Sequence, residues 1–95
     1  MQRTATVTIR VPAALRDCCA GAARLSLAAA SVQSVLDQLE GSHPSLHRSI
    51  CDETGAVRRH VNLFVNTAHV RDCDGLDTAL KPGDVVTILP AVSGG

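Results

Sequence analysis

Polar and apolar positions alternate along the first predicted element, from Thr4 to Val11. Four apolar residues fall on one face and threonine or arginine on the other, which is the pattern of a half-buried β-strand. These four are Ala5, Val7, Ile9 and Val11. Pro12 cannot donate a backbone hydrogen bond, so the strand is expected to end there. The alternation returns over residues 24–28 and predicts a second strand, antiparallel to the first, after a loose connection over residues 18–23.

A helical period follows after residue 30. Four apolar residues recur at i, i+3, i+4 and i+7 and form one stripe of a helix. They are Val32, Val35, Leu36 and Leu39. Ser31 is the expected N-cap, and Gly41 is expected to end the helix by taking a positive φ. Pro44 would prevent any continuation.

Shorter segments complete the pattern. They are a helical turn at 45–51 that places Leu46 and Ile50 towards the core, a turn at 52–55, a strand at 61–65, a tight turn at 66–69 leading into a short strand around Val70, a helical turn at 76–80, a turn at 81–84 and a strand at 85–89. The last strand is a continuous β-branched run, which is typical of a strand buried in the middle of a sheet. The chain therefore predicts an α+β fold in which one main helix packs across a mixed sheet of about five strands.

Composition narrows the possible functions. The 95 residues suit one domain, the formal net charge is zero and Phe64 is the only aromatic residue. Neither nucleic acid nor a membrane surface is indicated as a partner, because binding to either favours a basic chain. No apolar run approaches the roughly 20 residues that span a bilayer, and no secretory leader is evident. We expect a cytoplasmic protein.

Candidate catalytic and metal-binding residues are few. Four cysteines are present, Cys18, Cys19, Cys51 and Cys73, and none forms a Cys-x-x-Cys pair. They are expected to be reduced and non-catalytic. His43 and His47 are four residues apart, but Pro44 lies between them and no third ligand is evident, so no metal site is expected. The chain is not expected to be an enzyme.

The last six residues differ from the rest. Pro90 removes a backbone donor, and the residues after it are small. A domain over 1–89 and a flexible tail over 90–95 are therefore expected. The five residues beyond Pro90 would reach about 16–18 Å when extended. The two terminal glycines have no Cβ, so they place the carboxylate of Gly95 on a tether narrow enough to enter a tight channel.

The segment from Gly83 to Gly95 resembles the carboxyl end of the MoaD/ThiS family of ubiquitin-like sulfur carriers. Residues 61–66 with 70–71, residues 12–16 and the helix ending at Leu39-Glu40 resemble other parts of the same family. The Ile-Leu-Pro-Ala-Val-x-Gly-Gly ending and the length are most similar to its CysO-type branch. The segment 43–59 is longer than in the shortest MoaD proteins and favours the same branch.

This resemblance implies a β-grasp fold and a stepwise chemistry. An E1-like adenylyltransferase would use Mg-ATP to adenylate Gly95, and sulfur transfer would convert it to a thiocarboxylate. Gly94, Ser93 and Val92 would give access to partner sites. The carrier itself would bind no cofactor and would catalyse none of these steps.

The resemblance also implies partners that use the sulfur. A CysO-type carrier would serve a pyridoxal-phosphate-dependent cysteine synthase, and a metalloprotease of the JAMM type would release cysteine. MoaD-type carriers serve molybdopterin synthesis and ThiS-type carriers serve thiazole synthesis. The competing interpretation is a ubiquitin-like protein modifier that forms isopeptide bonds through Gly95.

A docking surface is predicted beside the tail. Alternation in the last strand points Leu89 outward if Val86 and Ile88 face the helix, and alternation at 61–65 points Phe64 outward. With Pro90, these residues would form a small docking patch for the activating enzyme. The alternative is that loops such as residues 18–23 cover both side chains.

Overall fold

A computed structural model describes residues 5–90, in which one face of a five-stranded sheet is covered by helices. The strands and α-helices, in chain order, are β1 (Ala5–Arg10), β2 (Arg24–Ala29), α1 (Val32–Ser42), α2 (Pro44–Ile50), β3 (Val61–Val65), β4 (Ala68–His69) and β5 (Val85–Pro90). Short 3₁₀ segments lie at Ala13–Cys19, Val70–Asp72 and Gly75–Asp77.

The strand order across the sheet is β2-β1-β5-β3-β4. Strand β5 is parallel to β1 and antiparallel to β3, whereas β1 and β2 form an antiparallel pair. The last strand therefore lies in the middle of the sheet, as its β-branched run predicts. The predicted α+β class, with a mixed sheet and one main helix across it, is confirmed.

The core lies between the sheet and α1. Every second residue of β1, β3 and β5 is buried, and the stripe of α1 packs on top of them. The buried strand residues are Ala5, Val7, Ile9, Val61, Leu63, Val65, Val86 and Ile88. All four predicted helix residues of α1 are buried as well. Alternation in the strands and the helical period thus define two surfaces that bury each other.

Helix α1 begins as predicted and ends differently. The Ser31 hydroxyl accepts a hydrogen bond from the Ser34 N–H at 3.2 Å, which satisfies one free donor of the first turn. The prediction that Gly41 terminates the helix is wrong, because Gly41 lies inside α1 and His43 is the C-cap. The proline ring of Pro44 disfavours helical backbone at the residue before it, so the helix stops at that point. Pro44 itself begins α2, where its missing N–H is not needed.

Helix α2 fills the end of the core, as predicted for residues 45–51. Leu46 and Ile50 are fully buried, and Cys51 continues into a bridge with Val57. Asp52 caps the turn between them by accepting from the Thr54 hydroxyl at 2.6 Å and the Thr54 N–H at 2.8 Å. These hydrogen bonds stabilise the carboxylate and lower the pKa of Asp52.

Two connections differ from the prediction. Cys18 and Cys19 end a 3₁₀ segment that begins at Ala13, rather than lying in a loose loop, and Leu15 of this segment packs against the core. The short strand predicted around Val70 is Ala68–His69, and Val70 starts the next 3₁₀ turn. Leu15 and the buried Cys19 hold the first segment and the buried Val70 holds the second, although the sequence shows no regular period in either.

Substitution of Ile50 tests how much the core depends on α2. We expect Ile50→Ala to lower the free energy of unfolding by about 2–5 kcal/mol, because a fully buried side chain leaves a cavity. Urea unfolding followed by circular dichroism measures the change. Ser45→Ala, on the exposed side of the same helix, is the control and should stay within about 0.5 kcal/mol. Equal effects of the two substitutions would show that α2 does not support the core.

Candidate functional site

Strand β5 is the last element of the chain that the structure describes. Pro90 is paired opposite Val61 at the first position of β3, so the strand continues one residue beyond the predicted end at Leu89. The Asn66 N–H donates to the Val85 carbonyl at 2.7 Å, and hydrogen-bonding pairs alternate along an antiparallel ladder. The nitrogen of Pro90 therefore points away from β3, and its missing N–H costs this ladder nothing. Residues 91–95 lie outside the described residues, and so do Val92, Ser93, Gly94 and Gly95 as predicted site residues.

The other end of β5 is held by a turn and by Asn66. Gly83 adopts φ +87° in the turn from Lys81 to Asp84, as the sequence predicts. Asn66 has φ +57° at the β3–β4 turn, and its side-chain oxygen accepts from the Val85 N–H at 3.1 Å. Its side-chain nitrogen donates to Asp84 Oδ1, also at 3.1 Å. These contacts set the register of β5 and hence the position of its far end.

The open face of the sheet presents Leu89 and Phe64, two of the three predicted docking residues. Leu89 is 46% exposed and is the one large hydrophobic residue classed as exposed among the described residues. Leu89 lies opposite Asn62, and Phe64 lies opposite Thr87, two positions further along the ladder. Leu89 and Phe64 are therefore diagonal neighbours on one face, where side chains of this size come within reach of each other.

Phe64 is partly covered by a neighbouring side chain. Its ring packs edge-to-face against the ring of His69, with centroids 5.0 Å apart. His69 Nε2 lies 3.1 Å from the side-chain oxygen of Asn62, and its Nδ1 accepts from the Arg71 N–H at 3.0 Å. The two contacts fix the neutral tautomer with its proton on Nε2. The structure therefore brings Leu89 and Phe64 to one face, and only Leu89 is freely exposed. Their role in docking stays a prediction.

Sequence reasoning missed three arginines on this same face. Arg10 and Arg24 are opposite one another in the β1–β2 register, and Arg16 follows the end of β1. A groove of about 250 Å³ is lined by all three together with Leu89. The net charge of zero conceals this cluster. The sequence predicts that the first two strands pair, but only their register in the structure places Arg10 opposite Arg24.

The four cysteines have distinct environments. All are free thiols; Cys19 and Cys51 are buried, Cys18 is partly buried and Cys73 is exposed. Burial raises the pKa of the Cys51 thiol, and the nearby Asp52 carboxylate raises it further. Burial also raises the pKa of Cys19. A raised thiol pKa lowers the thiolate fraction at neutral pH, which is the opposite of what a catalytic cysteine needs.

The histidines considered as ligands lie at a helix junction. His43 joins α1 to α2, and His47 lies in α2, where its carbonyl accepts from the Cys51 N–H. Within residues 5–90, no three or more His, Cys, Asp or Glu side chains converge in a way that would hold a metal ion. In the same part of the chain, none of the helices has the length and apolar character needed to cross a bilayer.

A comparison with family profiles shows which protein family this chain belongs to. The profile of the ThiS family matches residues 9–95, from near the end of β1 to the last glycine. The chain belongs to the ThiS family. The resemblance recognised from the sequence is therefore confirmed, and the family match extends over the terminal Gly-Gly.

Individual relatives agree with this assignment. The sulfur carrier protein CysO of Mycobacterium tuberculosis is 37% identical over 91 residues, which cover 94% of this chain and 98% of that protein. CysO in the Amycolatopsis orientalis BexX/CysO complex superposes with a TM-score of 0.84 at 35% identity, covering 94% and 99% of the two chains. Small archaeal modifier protein 1 of Methanosarcina acetivorans superposes with a TM-score of 0.85 at 33% identity, covering 97% and 98%. The chain is thus a homologue of sulfur carriers over nearly its whole length.

The thiol environments predict an order of reactivity. We expect Ellman's reagent to modify Cys73 first, and Cys19 and Cys51 at least about tenfold more slowly, because buried groups react only through opening. Folding raises the pKa of Cys19 and Cys51, so the unfolded chain loses these thiol protons at a lower pH than the folded chain. The free energy of unfolding should therefore fall as the pH rises above the ordinary thiol pKa. Timed labelling with peptide mass analysis measures the order. Fast labelling of Cys51 in the folded protein would contradict its burial.

The exposure of Leu89 predicts that it contributes little to folding. Leu89→Ser should lower the free energy of unfolding by no more than about 1 kcal/mol, because nearly half of this residue is already in water. The neighbouring Ile88 is 1% exposed, and Ile88→Ala should cost about 2–5 kcal/mol. Chemical denaturation compares the two. A large loss for Leu89→Ser would place Leu89 in the core and remove it from the docking patch.

Proposed function

We propose that this protein is a sulfur carrier whose working group is the carboxylate of Gly95. The observation that carries the proposal is the family match over residues 9–95, which includes the terminal Gly-Gly, on a chain 37% identical to a sulfur carrier. The central position of β5 supports it, because a strand held on both sides gives the last residues a firm origin.

The chemistry follows from the weakness of a carboxylate as an electrophile. An E1-like adenylyltransferase activates Gly95 when a carboxylate oxygen attacks the α-phosphorus of Mg-ATP and pyrophosphate leaves. Sulfide-level sulfur from a donor, written as HS⁻, then attacks the acyl carbon and AMP leaves; loss of the sulfur-bound proton gives a C-terminal thiocarboxylate. Gly94, Ser93 and Val92 carry the acyl group into the partner's site, since small residues fit a narrow channel. The carrier acts as a co-substrate and holds no cofactor of its own.

The destination of the sulfur is cysteine in this proposal. Similarity to CysO supports it, as does the segment 43–59, in which α2 buries Leu46 and Ile50. A pyridoxal-phosphate-dependent synthase would consume the thiocarboxylate, and a metalloprotease of the JAMM type would free the product. Molybdopterin or thiazole synthesis remains the alternative destination within the same family.

A protein modifier is the second candidate function. The observation in its favour is the TM-score of 0.85 with small archaeal modifier protein 1, whose fold this chain shares at 33% identity. In that case the activated Gly95 acyl group would pass to a lysine amine and form an isopeptide bond. Both functions begin with adenylation and diverge at the nucleophile.

Intact mass separates the two functions. We expect the protein isolated from its own cells under sulfur demand to gain the mass difference between one sulfur atom and one oxygen atom. Conjugates would instead appear as adducts the size of whole proteins. Mixing purified carrier with candidate synthases then identifies the acceptor, because the correct enzyme consumes the thiocarboxylate. Absence of both the sulfur form and the conjugates would contradict the proposal.

Blocking the terminal carboxylate tests the working group itself. Adding one alanine after Gly95 should abolish ATP–pyrophosphate exchange by the activating enzyme and leave the thermal midpoint unchanged, because only the reactive group has moved. The matched control adds one alanine before Met1 and should keep full exchange. Thiocarboxylation of the extended, untrimmed protein would overturn the mechanism.

A further inference from the structure

Two arginines on the open face form a like-charged pair across neighbouring strands, an arrangement that sheets usually avoid. Arg10 of β1 and Arg24 of β2 are directly opposed in the antiparallel register, and both side chains are exposed. Like charges that face each other in this way destabilise a sheet. A local arrangement that costs stability, and that has no acidic partner among residues 5–90, is typical of a site used for binding.

A third arginine lines the same groove. Arg16 donates from Nε to the Val11 carbonyl at 3.2 Å, which holds its side chain close to the end of β1. The groove of about 250 Å³ between these arginines adjoins a second one of about 390 Å³ that shares Arg10 and Arg24. Among the described residues that line the two grooves none is acidic, and Asp17, the residue after Arg16, is not part of either lining. Three of the nine cationic side chains of the chain are therefore gathered here.

The groove also contains the exposed apolar residue of this face. Leu89 lines it together with Thr87. Leu89 directly precedes Pro90, the last residue of β5. We name this surface the arginine groove and define it by Arg10, Arg16, Arg24 and Leu89. It combines an apolar anchor with a cationic rim, and protein interfaces use both.

We propose that the arginine groove binds an acidic surface of the protein that acts on the Gly95 end, with Asp or Glu carboxylates against the guanidinium groups and an apolar pocket for Leu89. Guanidinium groups bind carboxylates in bidentate fashion, which gives orientation as well as attraction. A partner bound there lies next to the end of β5, after which the chain continues to Gly95. The inference rests on the proposed function, because it takes this partner to be the activating enzyme.

Protein carboxylates suit the groove better than a nucleotide does. A phosphate would also satisfy the guanidinium groups, but no aromatic ring lines either groove to stack on a base. The apolar contribution comes from Leu89, which a phosphate leaves in water. The acidic occupant also neutralises the Arg10–Arg24 repulsion, so binding recovers stability that the free protein lacks.

Opposite effects on stability and binding are the first test. We expect Arg10→Glu to raise the thermal midpoint by about 1–8 °C, because it replaces a cross-strand repulsion by an attraction. The double variant Arg10→Gln with Arg24→Gln should raise it less. A lower midpoint in either case would show that the arginines hold the fold together, and it would overturn the inference.

Binding is measured with a defined probe and does not depend on Gly95 chemistry. The full-length ¹⁵N-labelled protein is titrated with a synthetic peptide that carries Glu residues on both sides of a Leu. The amide shifts are expected at β1, β2 and the end of β5, and they should disappear in the double glutamine variant. The same peptide with Gln in place of Glu should not bind. Shifts elsewhere, equal binding of the Gln peptide, or tighter binding of inorganic pyrophosphate would each overturn the proposal.

The activating enzyme provides the closing measurement. The double variant Arg10→Gln with Arg24→Gln should lower kcat/KM for ATP–pyrophosphate exchange about tenfold or more, mainly through KM, and should flatten its dependence on salt. Arg48→Gln with Arg71→Gln removes the same charge away from the groove and should leave kcat/KM and its salt dependence unchanged. Equal losses in the two double variants would refute the arginine groove.

The proposed function and this inference fail in different ways. If wild-type protein supports no exchange at all, the proposed function fails, and the peptide titration alone decides whether the groove binds acidic surfaces. If exchange proceeds and the groove variants match the wild type, the function stands and the groove proposal is wrong.

Discussion

The hydrogen bonds that hold β5 between β1 and β3 are the constraint on which the rest of the structure depends. A strand in the middle of the sheet must satisfy both neighbours, so its residues are fixed in register along the parallel and the antiparallel ladder. Asn66 and the turn at Gly83 set where it begins. The same pairing places Val86 and Ile88 in the core and Leu89 on the open face. Buried and exposed side chains therefore lie next to each other within four residues.

Most of the fold could be predicted because each periodic segment keeps its period in the structure. The buried face of β1, the stripe of α1 and its N-cap at Ser31, the orientation of α2 and the central position of β5 all follow from spacing and residue type. The exact end of α1 could not be predicted, because Gly41 permits a helix end but does not require one. The local clash before Pro44 was decisive instead. Leu15 anchors the 3₁₀ segment through contacts that no local pattern shows.

The candidate site was predictable only in part, for a related reason. Strand alternation places Leu89 and Phe64 on one face, and the structure agrees. It does not reveal that His69 covers one side of Phe64, since that depends on the pairing of β4 with β3. The arginines are separated along the sequence, and only the register of β1 with β2 brings two of them opposite each other. Gly95 was recognised through family resemblance, because two glycines carry little information alone.

The central position of β5 also affects how the protein is made. Strand β1 leaves the ribosome early, and its parallel neighbour follows roughly 75 residues later, which at ordinary rates of synthesis is a delay of about 4–15 s. During that time β1 can pair with β2, but its other edge waits with unpaired backbone groups. Folding therefore cannot be completed segment by segment as the chain emerges. A nascent chain stalled before residue 85 would expose the unpaired edge of β1 until β5 is made.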